Sequence, residues 1–264
     1  MDLNLAGQHI LITGGSKGIG LACARGFLQE GARVSLVARN AETLKLAQQA
    51  LQREFVAASV LAFVADLQDA MLAAGMVDAA EREGGAVDVL VNSAGAARRT
   101  LPDELTPKAW HDAMMAKYFS YIHVIDPVVK RMAKRGRGVI VNVVGAGGKV
   151  ASPTHLPGGA ANAALMLVSA GLAAAYGPKG VRVNAVNPGM TLTERLVEGM
   201  ATDARLHGIT PEEATARAAS RLPLGRIAKP AEIADAVVFL ASPRASYISG
   251  AIVAMDGAVT PLVA

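Results

Sequence analysis

His9-Ile10-Leu11-Ile12-Thr13-Gly14-Gly15-Ser16-Lys17-Gly18-Ile19-Gly20 is the stretch whose reading decides the fold. An apolar run ends in closely spaced glycines, and a helix-like pattern comes next. A buried strand that turns through glycines into a helix makes a phosphate site. The helix brings its unpaired N–H groups and its positive dipole end to the anion. Gly14 permits the tight turn, Gly18 leaves room for a pyrophosphate, and Gly20 lets the helix sit close to the strand. The spacing is Gly-x3-Gly-x-Gly, so the motif gains its weight from the segments downstream of it in the chain.

Outward from this stretch, short apolar strands alternate with helical stretches to the end of the chain. The patterning predicts strands at 10–13, 33–37, 60–64, 87–92, 139–144, 182–187 and 252–255. It predicts helices at 17–29, 41–53, 69–83, 107–134, 159–176 and 230–240. Such alternation implies an α/β fold: a doubly wound, seven-stranded parallel sheet of Rossmann type with helices on both faces, in a single domain over 1–264. Composition agrees, with 52% apolar residues and few aromatics. The net charge is only +4 and no basic-aromatic run is present, so no nucleic-acid partner is expected. Cys23 is the one cysteine, which excludes an intrachain disulfide and suits a reducing compartment. No Cys/His cluster suggests a metal. The N-terminus has no signal-peptide pattern, and the longest nearly uncharged run is read as Ala163–Tyr176, short of the roughly 20 residues a bilayer requires. A cytoplasmic protein with no membrane partner is the expectation.

In a sheet of this kind ligands sit beyond the carboxyl ends of the strands, so the residues just after each strand carry the chemistry. After the first strand, Lys17 lies inside the glycine loop beside Ser16 and Ile19. After the second, a carboxylate about 20 residues beyond the glycines would bind the ribose 2′-hydroxyl of NAD. Ala38 stands there, followed by Arg39 and Asn40. An arginine fork suits a 2′-phosphate, so Arg39 with Lys17 points to NADP(H), against the alternative of solvated surface cations. Asp66-Leu67 comes after the third strand and is placed for the adenine edge, or Asp66 is a helix N-cap. Asn92-Ser93-Ala94-Gly95 comes after the fourth and lets backbone lie beside the cofactor ribose.

With these features the chain resembles the short-chain dehydrogenases/reductases over essentially its whole length. The resemblance rests on Thr13–Gly20, Asp66, Asn92–Gly95, Asn187-Pro188-Gly189 and the closing stretch from Phe239 through Ile248-Ser249-Gly250 to Asp256-Gly257. It implies that Val143, Pro188, Gly189, Thr191 and Thr193 also border the cofactor. It implies that 192–221 is a mobile helical cover over a small-molecule substrate, and that copies associate as a homodimer or homotetramer. It implies a tyrosine general acid with a lysine four residues on, a serine after the fifth strand and an asparagine in the fourth helix.

This sequence departs from that pattern at each catalytic place. Gly145 stands for the serine, Gly158 for the tyrosine, Asn162 for the lysine and Lys117 for the asparagine. Two residues offer a repair. Lys117 points into the cleft if the helix register holds, with a pKa lowered by burial and any neighbouring cation. His155 lies on the approach to the next helix and offers an imidazole as proton donor. The bland readings are a lysine bonded to cofactor or backbone, and a solvated loop histidine. Tyr118, Tyr121, His111 and His123 share the fourth helix and are expected to pack or face a partner subunit. The leading expectation is an NADP(H)-dependent oxidoreductase of a carbonyl or alcohol with a non-standard proton donor. The alternative is a nucleotide-binding sensor or scaffold that has lost the reaction.

Overall fold

A computed structural model describes residues 2–95 and 99–261. Seven parallel strands form one sheet in the order β3-β2-β1-β4-β5-β6-β7. They are β1 (His9–Thr13), β2 (Arg33–Ala38), β3 (Val60–Val64), β4 (Val89–Asn92), β5 (Gly138–Val143), β6 (Val181–Pro188) and β7 (Ile252–Met255). The order reverses between β1 and β4, which opens a crevice at their carboxyl ends.

Both faces of the sheet are covered, so its central strands read as unbroken apolar runs. On one face α1 (Gly18–Gln29), α2 (Ala41–Glu54) and α9 (Pro230–Ala241) bury Phe27, Leu44, Leu51 and Val237 against Ile10, Ile12 and Leu36. On the other, α3 (Ala70–Gly84), α5 (Ser120–Arg135) and α6 (Leu156–Tyr176) bury Val77, Val128, Met132 and Leu165 against Leu11, Leu90 and Ile140. The segment 192–221 forms α7 (Glu194–His207) and α8 (Pro211–Ser220).

Two expectations are corrected. The predicted helix 107–134 is interrupted: α4 (Pro107–Ala113) passes through a π turn, Met114–Phe119, into α5. Gly95, at φ +81°, lies so close to this turn that an added Cβ would come 2.0 Å from the Ala116 carbonyl oxygen. The Ser120 hydroxyl donates back to the Ala116 and Lys117 carbonyls at 3.0 and 3.1 Å, taking up acceptors that the wider turn releases. The uncharged run is also longer than Ala163–Tyr176. It extends from Val150 to Pro178, and the helix within it is long and apolar enough to cross a bilayer by length and composition. That helix, α6, instead packs against β6 and buries Leu165, Ser169 and Ala173.

Candidate active site

The glycine loop is shaped by contacts that no larger residue would permit. Gly14 has φ +67°, and a Cβ there would lie 2.8 Å from the Ala94 backbone after β4. Gly20 closes against the turn itself, where a Cβ would lie 2.3 Å from the Gly14 carbonyl oxygen. Lys17 is the N-cap of α1 but no side chain caps that helix, and its first turn holds no acidic residue. Its leading N–H groups therefore meet no carboxylate from the helix's own first turn, a cradle suited to a phosphate. These features fit a bound dinucleotide.

The loops beside this cradle are fixed by a chain of buried polar groups. The Thr13 hydroxyl accepts from the Ser93 and Ala94 amides at 3.1 and 3.2 Å and donates to Asn92 Oδ1. Asn92 Nδ2 donates to Asn142 Oδ1 at 3.0 Å, and Asn142 Nδ2 to the Ser169 hydroxyl at 2.9 Å. The chain tracks the strand register, which pairs Thr13 with Asn92 and Asn92 with Asn142. Asn92 thus acts inside the sheet, holding Ser93 and Ala94 in place, rather than at the crevice surface.

The other candidate contacts divide. Arg39 is exposed at the end of β2. Asn40 next to it caps α2 by accepting from the Thr43 amide at 2.9 Å, so its carboxamide is already engaged. Asp66 is exposed and makes a local turn with the Gln68 amide, while the N-cap of α3 is Asp69. Leu67 is buried, and its carbonyl contacts His123 Nδ1 at 2.9 Å. Lys17 pairs with Glu194 of α7 at 2.6 Å, both side chains exposed. Thr193 stands over Gly18, where a Cβ would lie 3.3 Å from its methyl. Pro188 ends β6, a Cβ on Gly189 would lie 3.0 Å from Asp256, and the Thr191 and Thr193 hydroxyls donate to nearby backbone carbonyls.

Lys117 projects from the π turn to the carboxyl end of β5. It is buried, at 8% exposure, and donates to the Val143 carbonyl at 3.0 Å and the Tyr121 hydroxyl at 2.7 Å. Tyr121 donates to the same carbonyl at 2.7 Å. Among the described residues no carboxylate meets the amine. Burial, and then the Arg195 guanidinium, lower its pKa from 10.5 to about 7. His155 contacts the Gly145–Gly148 loop: a Cβ on Gly147 would lie 3.2 Å from its ring, and one on Gly145 3.1 Å from Asn162 Nδ2. Burial holds the imidazole down at about 4, helped by Arg99, Lys117 and Arg195. His155 Nδ1 and Asn162 Oδ1 are buried without a hydrogen-bond partner.

A family model described as enoyl-(acyl carrier protein) reductase matches residues 14–260. Gluconate 5-dehydrogenase of Gluconobacter oxydans is 35% identical over 257 residues, 97% of this chain and 96% of its own length. The chain belongs to the short-chain dehydrogenase/reductase family. L-Sorbose reductase from Gluconobacter frateurii, complexed with NADPH and L-sorbose, superposes with a TM-score of 0.91 at 30% identity over 100% of both chains. An NADPH-bound short-chain oxidoreductase from Pseudomonas aeruginosa PAO1 with an atypical catalytic center does so with a TM-score of 0.88 at 33% identity, over 97% of this chain and 98% of that one. Such relatives are oxidoreductases of alcohol and carbonyl groups.

Within this family frame, three residues outside the expected site gather around Lys117 and His155. Tyr121, expected to pack or face a partner subunit, is fully buried and lies 4.4 Å from Lys117 Nζ by its ring centre as well as bonding it by its hydroxyl. The i, i+4 spacing from Lys117 could have flagged it. Arg99 joins three segments distant in sequence: it donates to the Thr154 hydroxyl at 3.1 Å and pairs with Asp203 of α7 at 3.1 Å. Arg195 enters from the first turn of α7. Neither arginine has a sequence signal, because their partners are set by the tertiary fold. Among the described residues no group of His, Cys, Asp and Glu could hold a metal.

Proposed function

We propose that the chain is an NADP(H)-dependent oxidoreductase that interconverts a hydroxyl and a carbonyl on a small polar substrate, with Lys117 as the proton-handling group. The observation that carries this reading is the buried amine at the carboxyl end of β5, which meets no carboxylate among the described residues and has a pKa of about 7. An amine poised near neutrality can hold a proton for a developing alkoxide or accept one from an alcohol. NADP(H), when bound, supplies or takes the hydride.

Each further group has a role in this reading. Gly14, Gly18 and the open first turn of α1 hold the pyrophosphate, and Arg39 takes the ribose phosphate. Lys17 exchanges Glu194 for phosphate on loading. Tyr121 and the Val143 carbonyl aim the Lys117 amine. His155, neutral at physiological pH, serves as a polar contact and not as the acid. Gly145, Gly158 and Asn162 leave the usual serine, tyrosine and lysine absent. The Pseudomonas aeruginosa relative, which binds NADPH with an atypical center, supports a repaired site over a lost one. The gluconate and L-sorbose relatives support a polyhydroxylated substrate. Helices α7 and α8 form the cover, and copies pair across α5 and α6, where Leu167 is 77% exposed.

The test is NADPH oxidation with sugar ketones and keto acids, and NADP⁺ reduction with the matching alcohols, monitored at 340 nm. Turnover that is lost in Lys117→Met is the expected result. Cofactor binding without turnover on any substrate would favour the sensor.

A further inference from the structure

The inner face of α7 is fixed by its contacts. Gly199 is buried against Arg99, where an added Cβ would lie 2.8 Å from the guanidinium, and Asp203 accepts from Arg99 and from the Thr154 hydroxyl at 2.7 Å. Residues four apart share a helix face, so Arg195 is on this same inward face, one turn before Gly199. Its neighbour Glu194 is held to Lys17 at the glycine loop, which seats this first turn over the crevice. Arg195, exposed at the start of α7, therefore lies on the side of the helix that faces the glycine loop and Thr154-His155.

The charges in this cleft do not balance. Among the described residues Arg195 has no salt bridge, and it is exposed in the first turn of α7. Of the acidic groups around it, Asp203 is engaged by Arg99 and Glu194 by Lys17. Glu198 lies three residues on along α7, exposed, and outside salt-bridge distance. The charge of Arg195 reaches Lys117, Tyr121 and His155. The nearby Asn162 Oδ1, on a residue only 4% exposed, and His155 Nδ1 await hydrogen-bond partners.

We propose that Arg195 receives a carboxylate of the substrate, so that the site takes hydroxy and keto acids in preference to neutral polyols and ketones. A guanidinium fork matches a carboxylate in two parallel bonds, and the unpartnered polar atoms suit an acid that also carries hydroxyls. Pairing also relieves Lys117 of an uncompensated neighbouring cation, which favours its ammonium form while the substrate is bound. This rests on the functional reading above for the site's location, but binding tests it separately from turnover.

The experiment uses the protein saturated with NADP⁺ and titrates three acids against their primary amides by calorimetry: D-gluconate, D-glycerate and L-lactate. At least one acid is expected to bind about 10- to 100-fold more tightly than its amide, the range for a charge-assisted pair. Arg195→Gln should erase the difference with the melting temperature unchanged, and Arg195→Lys should restore part of it. Acids no tighter than amides, or discrimination that survives Arg195→Gln, overturns the proposal. So does a loss confined to NADP⁺ affinity, which would make Arg195 a cofactor contact. Turnover of neutral ketones with no preference for acids would refute the carboxylate site and leave the oxidoreductase standing. Acid binding without turnover would do the reverse.

Discussion

Replacing Lys117 by Met should make the protein more stable and far less active. Methionine keeps the length of the side chain and removes the charge. In the unfolded chain the amine titrates at its ordinary 10.5, and in the native state at about 7. At about 1.36 kcal/mol per pH unit that gap corresponds to roughly 5 kcal/mol of native-state penalty below pH 7. The sign comes from proton counting: between about 7 and 10.5 the unfolded state binds more protons, so stability rises with pH through this window. The variant loses two hydrogen bonds, worth about 1 kcal/mol each. The Val143 carbonyl keeps its bond from Tyr121, whose hydroxyl loses the Lys117 donor and keeps its own donation. Urea unfolding at pH 7 should thus favour Lys117→Met by a few kcal/mol, and the advantage should shrink by roughly 1.4 kcal/mol per pH unit toward pH 9. Loss of the proton donor should lower kcat/KM by about 10²–10⁴. In the wild type, reduction should weaken and oxidation strengthen as pH rises through about 7. A stability difference that does not change with pH, or a destabilised variant that keeps its activity, would refute the reasoning: the lysine would then be a structural bond and nothing more.

Other positions give simpler outcomes. Arg39→Glu should weaken NADP⁺ by about 10- to 100-fold with little effect on stability, since the side chain is exposed; calorimetry with NADP⁺ and NAD⁺ reads the exchange of preference. Gly14→Ala should cost about 1–3 kcal/mol and abolish cofactor binding, because φ is +67° and the new Cβ lies 2.8 Å from Ala94; a melting curve with and without NADP⁺ checks both effects. His155→Gln should leave the pH dependence of rate between about 5 and 8 intact, since the ring is already neutral there; a profile that loses a limb would mark His155 as the acid.

The fold is legible because each strand is a short apolar run closed by turn residues, and the β3 and β7 bounds coincide with the predicted ones. The glycine loop is legible because its requirements are local: Gly14 and Gly20 each avoid a contact with backbone that is near in sequence or lies just past the adjacent strand. The π turn is not, since its closest neighbour, Gly95 against Ala116, comes from another loop. The uncharged helix reads as too short when its run is counted from Ala163, although its composition is unambiguous from Val150 onward. Asp66 and Asp69 show the limit of capping rules: both stand before the same helix, and only the backbone geometry selects Asp69. Arg195 and Arg99 carry no periodicity, and their meaning comes wholly from the segments that α7 is folded against.

On the proposed reading, the changes at 117, 145, 158 and 162 are a set and not four separate losses. A side chain at 145 would press on Asn162, since its Cβ would lie 3.1 Å from Nδ2. A lysine at 162 would bring a further ammonium to a cleft where Lys117 and Arg195 already oppose each other, and like charges lower one another's pKa. Restoring Ser, Tyr and Lys at 145, 158 and 162 while Lys117 is kept should therefore give a poorly active protein. Adding Lys117→Asn to those three should raise kcat/KM above the triple variant by at least about tenfold, because the competing buried cation is gone. Single-turnover reduction with NADPH separates this from effects on cofactor affinity. If the triple variant matched the fourfold one, the two proton-handling arrangements would be independent, and the case for Lys117 as a substitute built into this cleft would fall.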